Sequence, residues 1–312
     1  MDHQKPQSGR PRGASVPTVS ALVTSFNSER RIGQCLRGLL WCDEILVVDS
    51  FSTDATLKIA RGLPGVRVIQ HEYLGGAAQK NWAMSRLRGD WILIFDSDEV
   101  CTPELRDEIL TLLKNGAAYN AYTVHRRMYF LNKRIRFSGW KNDKLARLFR
   151  KGTARYQDRR VHARLITDGP APQLENSMLH YMVDSVSEYV SRTLKYSRWG
   201  AAQAFRDGKR VGVASIVVRP AYRLLRTYVI QAGFLDGLRG LVFCMIQATG
   251  SFCKWATLWG WRVDEERGRL PDLPKFEDGF GDRSHNDLDP ATWEPKITPP
   301  VEQPASSRSA TK

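Results

Sequence analysis

The chain has 312 residues, 42% hydrophobic and 26% charged, which is enough apolar material to bury a sizeable core and marks a globular protein. A net charge of +14 and a pI near 9.7 point to a polyanionic partner, for which nucleic acid, an anionic membrane and phosphorylated small molecules are the candidates. The five cysteines (Cys35, Cys42, Cys101, Cys244 and Cys253) are scattered and lack CxxC or Cys/His ligand spacing, which argues against a disulfide framework or zinc site and fits a reducing cytoplasm.

Residues 1–17 are rich in Pro, Gly, Ser and basic side chains with no apolar signal-peptide core, so a disordered lead-in is expected. Thr18 to Thr24 reads as a strand, followed by a helix with Ile32, Leu36, Leu39 and Leu40 on one face and Ser28 as its expected cap. Glu44 to Asp49 is a buried-type strand ending in an acid, and Ser52-Thr53-Asp54 opens a second helix through Leu57, Ile59 and Ala60. The pattern repeats with a strand at Val66 to Ile69, a Gly75-Gly76 turn, a helix from about Ala77 to Leu87 and a strand from Trp91 to Phe95. Strands alternating with helices predict an α/β fold with a Rossmann-like, mixed but mostly parallel sheet flanked by helices.

The last of these strands runs into Asp96-Ser97-Asp98-Glu99. Open α/β sheets bind ligands at their strands' carboxyl ends, and two aspartates one residue apart can share a hard divalent cation with a substrate's phosphates. The competing reading is a strand leading into a helix whose first turn, Thr102-Pro103-Glu104, favours acids for capping and dipole reasons. Asp49 arrives at the same edge, beside Thr24 and Phe26, which favours a nucleotide pocket. Neither G-x-G-x-x-G after the first strand nor a P-loop is present, so a nicotinamide enzyme or P-loop ATPase is disfavoured.

Several ordered segments carry a resemblance: Thr24 to Arg30, Asp43 to Ser50 with Ser52-Thr53-Asp54, Gln79-Lys80-Asn81, and Gly89-Asp90-Trp91 through Glu99. Together they resemble the family 2 glycosyltransferases, inverting enzymes of GT-A fold, and especially the bacterial lipopolysaccharide core branch, over about Val19 to Trp259. The resemblance implies a nucleotide-sugar donor at the carboxyl edge. Thr24 and Phe26 would flank the base, with Glu29 of the same loop grouped with them. Asp49 would bond base or ribose, Asp96 would approach the ribose, Lys80 would add positive charge, and Asp98 would hold Mg²⁺ or Mn²⁺ on the diphosphate. Inverting transfer also needs a general base on the acceptor side. The segment Gly139 to Arg150 resembles the family's second block, in which an aspartate precedes an R-L-F run, making Asp143 the leading base, with Glu99 the weaker alternative. Branch members usually continue with Val-His-Glu, whereas this chain has Val161-His162-Ala163. His162 is a candidate for acceptor or phosphate binding, and Arg147 and Arg150 read equally well as strand-face charges.

Val186 to Phe205 has the spacing of a basic amphipathic helix, and Ala221 to Trp261 is rich in aromatics beside Arg219, Arg223, Arg226, Arg239 and Lys254. Its longest uncharged run, Gly240 to Cys253, falls short of the roughly 20 residues a spanning helix needs. This suits a C-terminal amphipathic extension on an anionic membrane surface, the alternatives being a core helix or a dimer contact. The expected organisation is a lead-in at 1–17, a GT-A domain at 18–180, a membrane-proximal helical region at 181–264 and a disordered tail at 265–312. The expected activity is transfer of a hexose, glucose from UDP-glucose foremost, to a hydroxyl of a lipid-linked glycan such as lipopolysaccharide core at the inner face of the cytoplasmic membrane. Exopolysaccharide or protein acceptors, a nucleotidyltransferase, a sugar-nucleotide sensor without turnover and a nucleic-acid-binding module are the rivals; basic residues spread rather than striped count against nucleic acid as a partner.

Overall fold

The computed structural model describes residues 16–73, 75–157, 164–269 and 271–274. Nearly all of the expected lead-in and most of the expected tail lie outside these residues, as do Val161, His162 and Ala163.

Strands β1 (Val19–Ser25), β2 (Glu44–Asp49), β3 (Val66–Gln70) and β4 (Trp91–Asp96) form the parallel half of a nine-stranded sheet, in the order β3-β2-β1-β4. β1, β2 and β4 read as unbroken apolar runs because both faces are covered. Helices α1 (Ile32–Arg37), α2 (Thr56–Arg61) and α4 (Pro103–Lys114) bury Ile32, Leu36, Ala60, Leu105 and Ile109 against one face. On the other, α3 (Gly76–Met84) and the turn after it set Ala83, Met84 and Leu87 against Leu22, Leu46 and Ile94. The register pairs Ser25 with Asp49 and Thr24 with Asp96, so the acids predicted to share an edge do share it.

The other half of the sheet is mixed. After the two-residue β5 (Glu99–Val100) and α4, the chain forms β6 (Ala121–Phe130), β7 (Lys133–Ile135) and β8 (Lys144–Arg150), and β8 inserts antiparallel between β4 and β6. A small separate hairpin joins β9 (Ala154–Tyr156) to β10 (Leu165–Thr167). β11 (Gln173–Val183) runs parallel to β6 and antiparallel to β5, pairing His180 with Glu99, and extends past the expected boundary at 180. Ser28 does not cap α1: its hydroxyl meets Ser97 Oγ (2.7 Å) and donates to the Phe26 carbonyl, binding the first loop to the Asp96–Glu99 turn. Thr102 caps α4 as expected, accepting from the Leu105 N–H (3.2 Å) with Pro103 following.

Helix α5 (Val186–Arg206) matches the predicted amphipathic segment and is capped by Ser185. The second aromatic stretch is broken rather than continuous. After α6 (Val213–Ile216), α7 (Val218–Leu224) passes into a π-turn at Leu225–Ile230, Ala232 takes a left-handed φ of 54°, and a 3-10 turn at Gly233–Asp236 leads into α8 (Gly237–Glu266). The Asp236 carboxylate accepts from the backbone N–H groups of Arg136 (2.9 Å) and Phe137 (3.0 Å), fastening this break to the loop before β8. α8 joins the sheet through Phe243 and Cys244 on Phe130, Met182 and Tyr189, and packs on α5 through Trp255 and Leu258 against Ala201 and Ala202.

Candidate active site

At the edge of β4, the Asp96 carboxylate lies between two cations: Lys80 Nζ donates to Oδ1 (2.7 Å) and Arg147 Nη2 to Oδ2 (2.8 Å). Thr24 Oγ1 also donates to Oδ1 (3.2 Å). The same Arg147 nitrogen reaches Glu99 Oε1 (2.6 Å), and the other Glu99 oxygen accepts from the Asp96 N–H (2.9 Å). Glu99 Oε1 is shared with Arg126 Nη1 (3.3 Å), and Arg126 Nε donates to Asp143 Oδ2 (2.8 Å). One chain of alternating charge therefore runs Lys80, Asp96, Arg147, Glu99, Arg126, Asp143. It connects the residue expected beside the donor ribose to the residue expected to act as base.

Burial alone would raise the Asp96 carboxyl, but the Lys80 and Arg147 charges more than reverse this and hold it well below the usual carboxylate range. Burial would likewise lower Lys80 and Arg147, and their acidic neighbours raise both above their ordinary values. Asp96, Lys80 and Arg147 are therefore ionised at neutral pH. Arg147 Nε is buried without a hydrogen-bond partner among the described residues, so this side chain is held through Nη2 and charge.

Asp98 sits on the turn outside this chain. Its carbonyl accepts from the Tyr181 N–H (2.9 Å) and its Oδ2 lies 3.3 Å from His180 Nε2. Burial would lower the His180 imidazole, but Asp98 outweighs it and the ring is raised above its ordinary value. Among the described residues no group of three or more His, Cys, Asp or Glu gathers as a metal cage. A carboxylate and an imidazole, both partly open, do fit a divalent cation that draws its remaining ligands from water and phosphate oxygens, the cation replacing the proton they share.

Other expected site residues fall differently. Phe26 is exposed at 53%, so its ring is free for a base. Asp49, expected to bond base or ribose, is fully buried at the same edge, with Ser25 Oγ and Ser52 Oγ donating to Oδ1 and the Ser52 N–H to Oδ2. Its visible work is to shape the loop after β2. Glu29 also turns to scaffolding, accepting from the Ala55 N–H (3.0 Å), while Asp54 accepts from the Glu29 N–H (3.1 Å). Asn27 (φ 45°) and Phe51 (φ 59°) hold left-handed conformations in these interlocked loops, and Phe51 keeps its ring 44% exposed. A bulky residue held there is strained, and the conformation leaves Phe51 at the surface of the loop. Glu99, the alternative base, is fully buried and engaged on both oxygens. Arg126, Phe51 and His180 were not singled out by sequence, and Arg147 was left ambiguous. Phe51 lies between Ser50 and Ser52, at a gap in the matching segment; Arg126 and His180 gain meaning only from cross-strand pairing.

Residues 20–167 match the model of the family described as Glycosyl transferase family 2. Similarity extends past the matched region. The lipopolysaccharide core biosynthesis glycosyltransferase LpsC of Rhizobium meliloti (strain 1021) is 28% identical over 269 residues, covering 84% of this chain and 97% of LpsC. A glycosyltransferase of Rickettsia felis is 29% identical over 252 residues, covering 77% of this chain and 89% of its own. Among solved structures, S. aureus TarS 1-349 in complex with UDP-GlcNAc aligns over 81% of this chain and 92% of its own at 15% identity, with a TM-score of 0.39. Along most of its length the chain is thus similar to glycosyltransferases, and its own fold is a mixed, mostly parallel α/β sheet flanked by helices.

Proposed function

We propose that this enzyme transfers a hexose, glucose from UDP-glucose foremost, with inversion onto a hydroxyl of a lipid-linked glycan of the lipopolysaccharide core type. The observation that carries the reading is the charge chain from Lys80 to Asp143, flanked by the Asp98–His180 pair. Phe26, Phe51 and Thr24 would border the nucleoside, with Lys80 beside Asp96 supplying fixed positive charge near the diphosphate. Asp98 and His180 would hold Mg²⁺ or Mn²⁺, whose chemistry there is neutralisation of charge developing on the departing diphosphate.

Asp143 has one carboxylate oxygen restrained by Arg126, while Oδ1 accepts no hydrogen bond among the described residues. That free oxygen would take the acceptor hydroxyl's proton as the hydroxyl oxygen bonds to the anomeric carbon and the anomeric carbon–diphosphate bond breaks. Arg126 would fix the base's orientation, and Arg147 would keep the donor and acceptor halves in one frame. In a UDP-release assay with core glycan acceptor, Asp143→Asn is expected to lower turnover at least a hundredfold with UDP affinity near wild type. Asp98→Ala is expected to abolish the metal dependence of UDP binding. Full turnover by the Asn variant would reject Asp143 as the base.

The acceptor would be reached at a membrane surface. From Val213 to Leu238 the chain exposes Val217, Val218, Tyr222, Leu225, Val229, Ile230, Phe234 and Leu235, interleaved with Arg219, Arg223 and Arg226. Among the described residues no single helix is long and apolar enough to cross a membrane; one bent pair, Val213–Ile230 with Gly233–Glu266 at 69°, passes by length and composition together. Apolar side chains with arginines between them suit shallow insertion among anionic headgroups. The inner face of the cytoplasmic membrane, where nucleotide sugars are supplied, is the location this reading favours, and the family 2 match together with the similarity to LpsC supports the acceptor class.

A further inference from the structure

A cavity of about 370 Å³ opens behind Arg126, between the β6–β7 hairpin and residues 136–141. Its wall carries Arg126, Arg127, Arg134, Arg136 and Lys141 and no acidic side chain. Arg126 is neutralised by Glu99 and Asp143, but the side chains of the other four enter no ion pair among the described residues. Burial first, then the neighbouring Arg127 and Arg136 charges, lower the Arg134 guanidinium below its ordinary value, as expected of crowded cations. Trp140 lines the same cavity, and its indole Nε1–H is buried with no partner among the described residues. Crowded unpaired guanidiniums and an orphan donor raise the free energy of the empty cleft, and an oxyanion would relieve both. Arg forks suit phosphate or carboxylate oxygens, and the volume accommodates a sugar bearing one such group.

Resting on the glycosyltransferase reading, we infer that this cleft binds an anionic substituent, a phosphate monoester or carboxylate, on the acceptor glycan. Arg126 belongs both to the cleft wall and to the restraint on Asp143, so an anionic sugar seated there lies beside the proposed base. Charge on the acceptor would thereby select the sugar presented for transfer, while the uncharged hydroxyl is the group that reacts.

The test uses the full chain with its donor site saturated by UDP and Mn²⁺, and glucose 6-phosphate and methyl glucoside as probes in calorimetric titrations. Glucose 6-phosphate is expected to bind at least tenfold more tightly than methyl glucoside, with affinity falling steeply as salt rises. The triple variant Arg127→Gln/Arg134→Gln/Arg136→Gln is expected to lose at least tenfold in that affinity, while its melting temperature and UDP–Mn²⁺ affinity show that it is folded. Arg134→Lys, which keeps the charge and loses the fork, is expected to fall between the two. Equal binding of the charged and uncharged probes by wild type, or undiminished binding of glucose 6-phosphate by the triple variant, would overturn the assignment. A triple variant that keeps the sugar phosphate but loses binding to phosphatidylglycerol vesicles would also overturn it, making the cleft a headgroup site. Wild type that fails to bind UDP–Mn²⁺ would instead reject the donor reading and leave the cleft result standing.

Discussion

Arg147 is the side chain on which the site's internal consistency depends. It is almost completely buried and contacts both Asp96 and Glu99, so its removal leaves Glu99 with the Asp96 N–H and only the longer of its two ion pairs, to Arg126. Breaking a buried pair from one side costs about 3–5 kcal/mol, a large part of a typical domain's stability. Arg147→Met is therefore expected to lower the urea-unfolding free energy by about that amount. A change under about 1 kcal/mol would show that the network is not coupled as drawn. The same network sets an acid limb. Because the Asp96 carboxyl is depressed in the folded protein, its stabilisation is complete above the unfolded value of about 3.9 and is lost as pH falls through the lower folded value. Melting temperatures followed from pH 7 down to pH 3 are expected to fall less steeply in Asp96→Asn, which starts lower at neutral pH. Asp96 and Asp98 were legible in sequence because one strand delivers both within three residues. His180 was not, because only β5–β11 pairing brings it to Asp98, and Arg147 was not, because nothing in Lys144 to Arg150 tells which charge turns inward.

Elements with one strong period were legible from residues alone. β1 to β4 read as apolar runs, α5 declared its amphipathic face, and Thr102-Pro103 announced α4. What escaped was pairing and interruption: β8 lies antiparallel beside β4 though no local signal separates it from a parallel strand, and the break between α7 and α8 depends on Asp236 anchoring to residues 136 and 137. The junction of α5 and α8 shows how closely the helical extension is fitted. A Cβ on Gly250 would collide with Thr193 and crowd Ser197 Oγ, whose hydroxyl donates to the Gly250 carbonyl (2.8 Å). Gly250→Ala is expected to destabilise by about 1–3 kcal/mol through overpacking. Gly260→Ala on the same helix meets open space and is expected to stabilise by about 0.5–1 kcal/mol from helix propensity. Paired denaturation curves check both signs.

For the molecule as a whole, the spread of basic residues includes two clusters, one lining the cleft behind Arg126 and one lying among the exposed apolar side chains of residues 213–239. A second cavity, of about 380 Å³, brings Arg219, Arg223 and Arg226 together with Trp140, so the two basic regions meet at one indole. Cosedimentation with vesicles is expected to be strong with phosphatidylglycerol and weak with phosphatidylcholine. Replacing Ile230, Leu235 and Leu238 by Ser is expected to reduce it at least tenfold, whereas added salt alone reduces it only partly because the apolar contribution is unscreened. Binding unchanged by those substitutions would remove this face from the membrane contact.

The placement of β8 has a consequence for how such an enzyme diversifies. Its register against β4 pairs Leu93 with Leu148 and Trp91 with Arg150, and a slip of one residue would turn Arg147 to the opposite side of the sheet. Insertions are therefore forbidden within Lys144 to Arg150. The β6–β7 hairpin and residues 136–142 carry the cationic cleft outside that locked pair, and beyond the backbone anchors at Arg136 and Phe137 their exposed side chains can change in charge without disturbing it. Changes in the charge lining the cleft could thus leave the Asp96–Arg147 network intact, with the strand between them acting as a fixed partition.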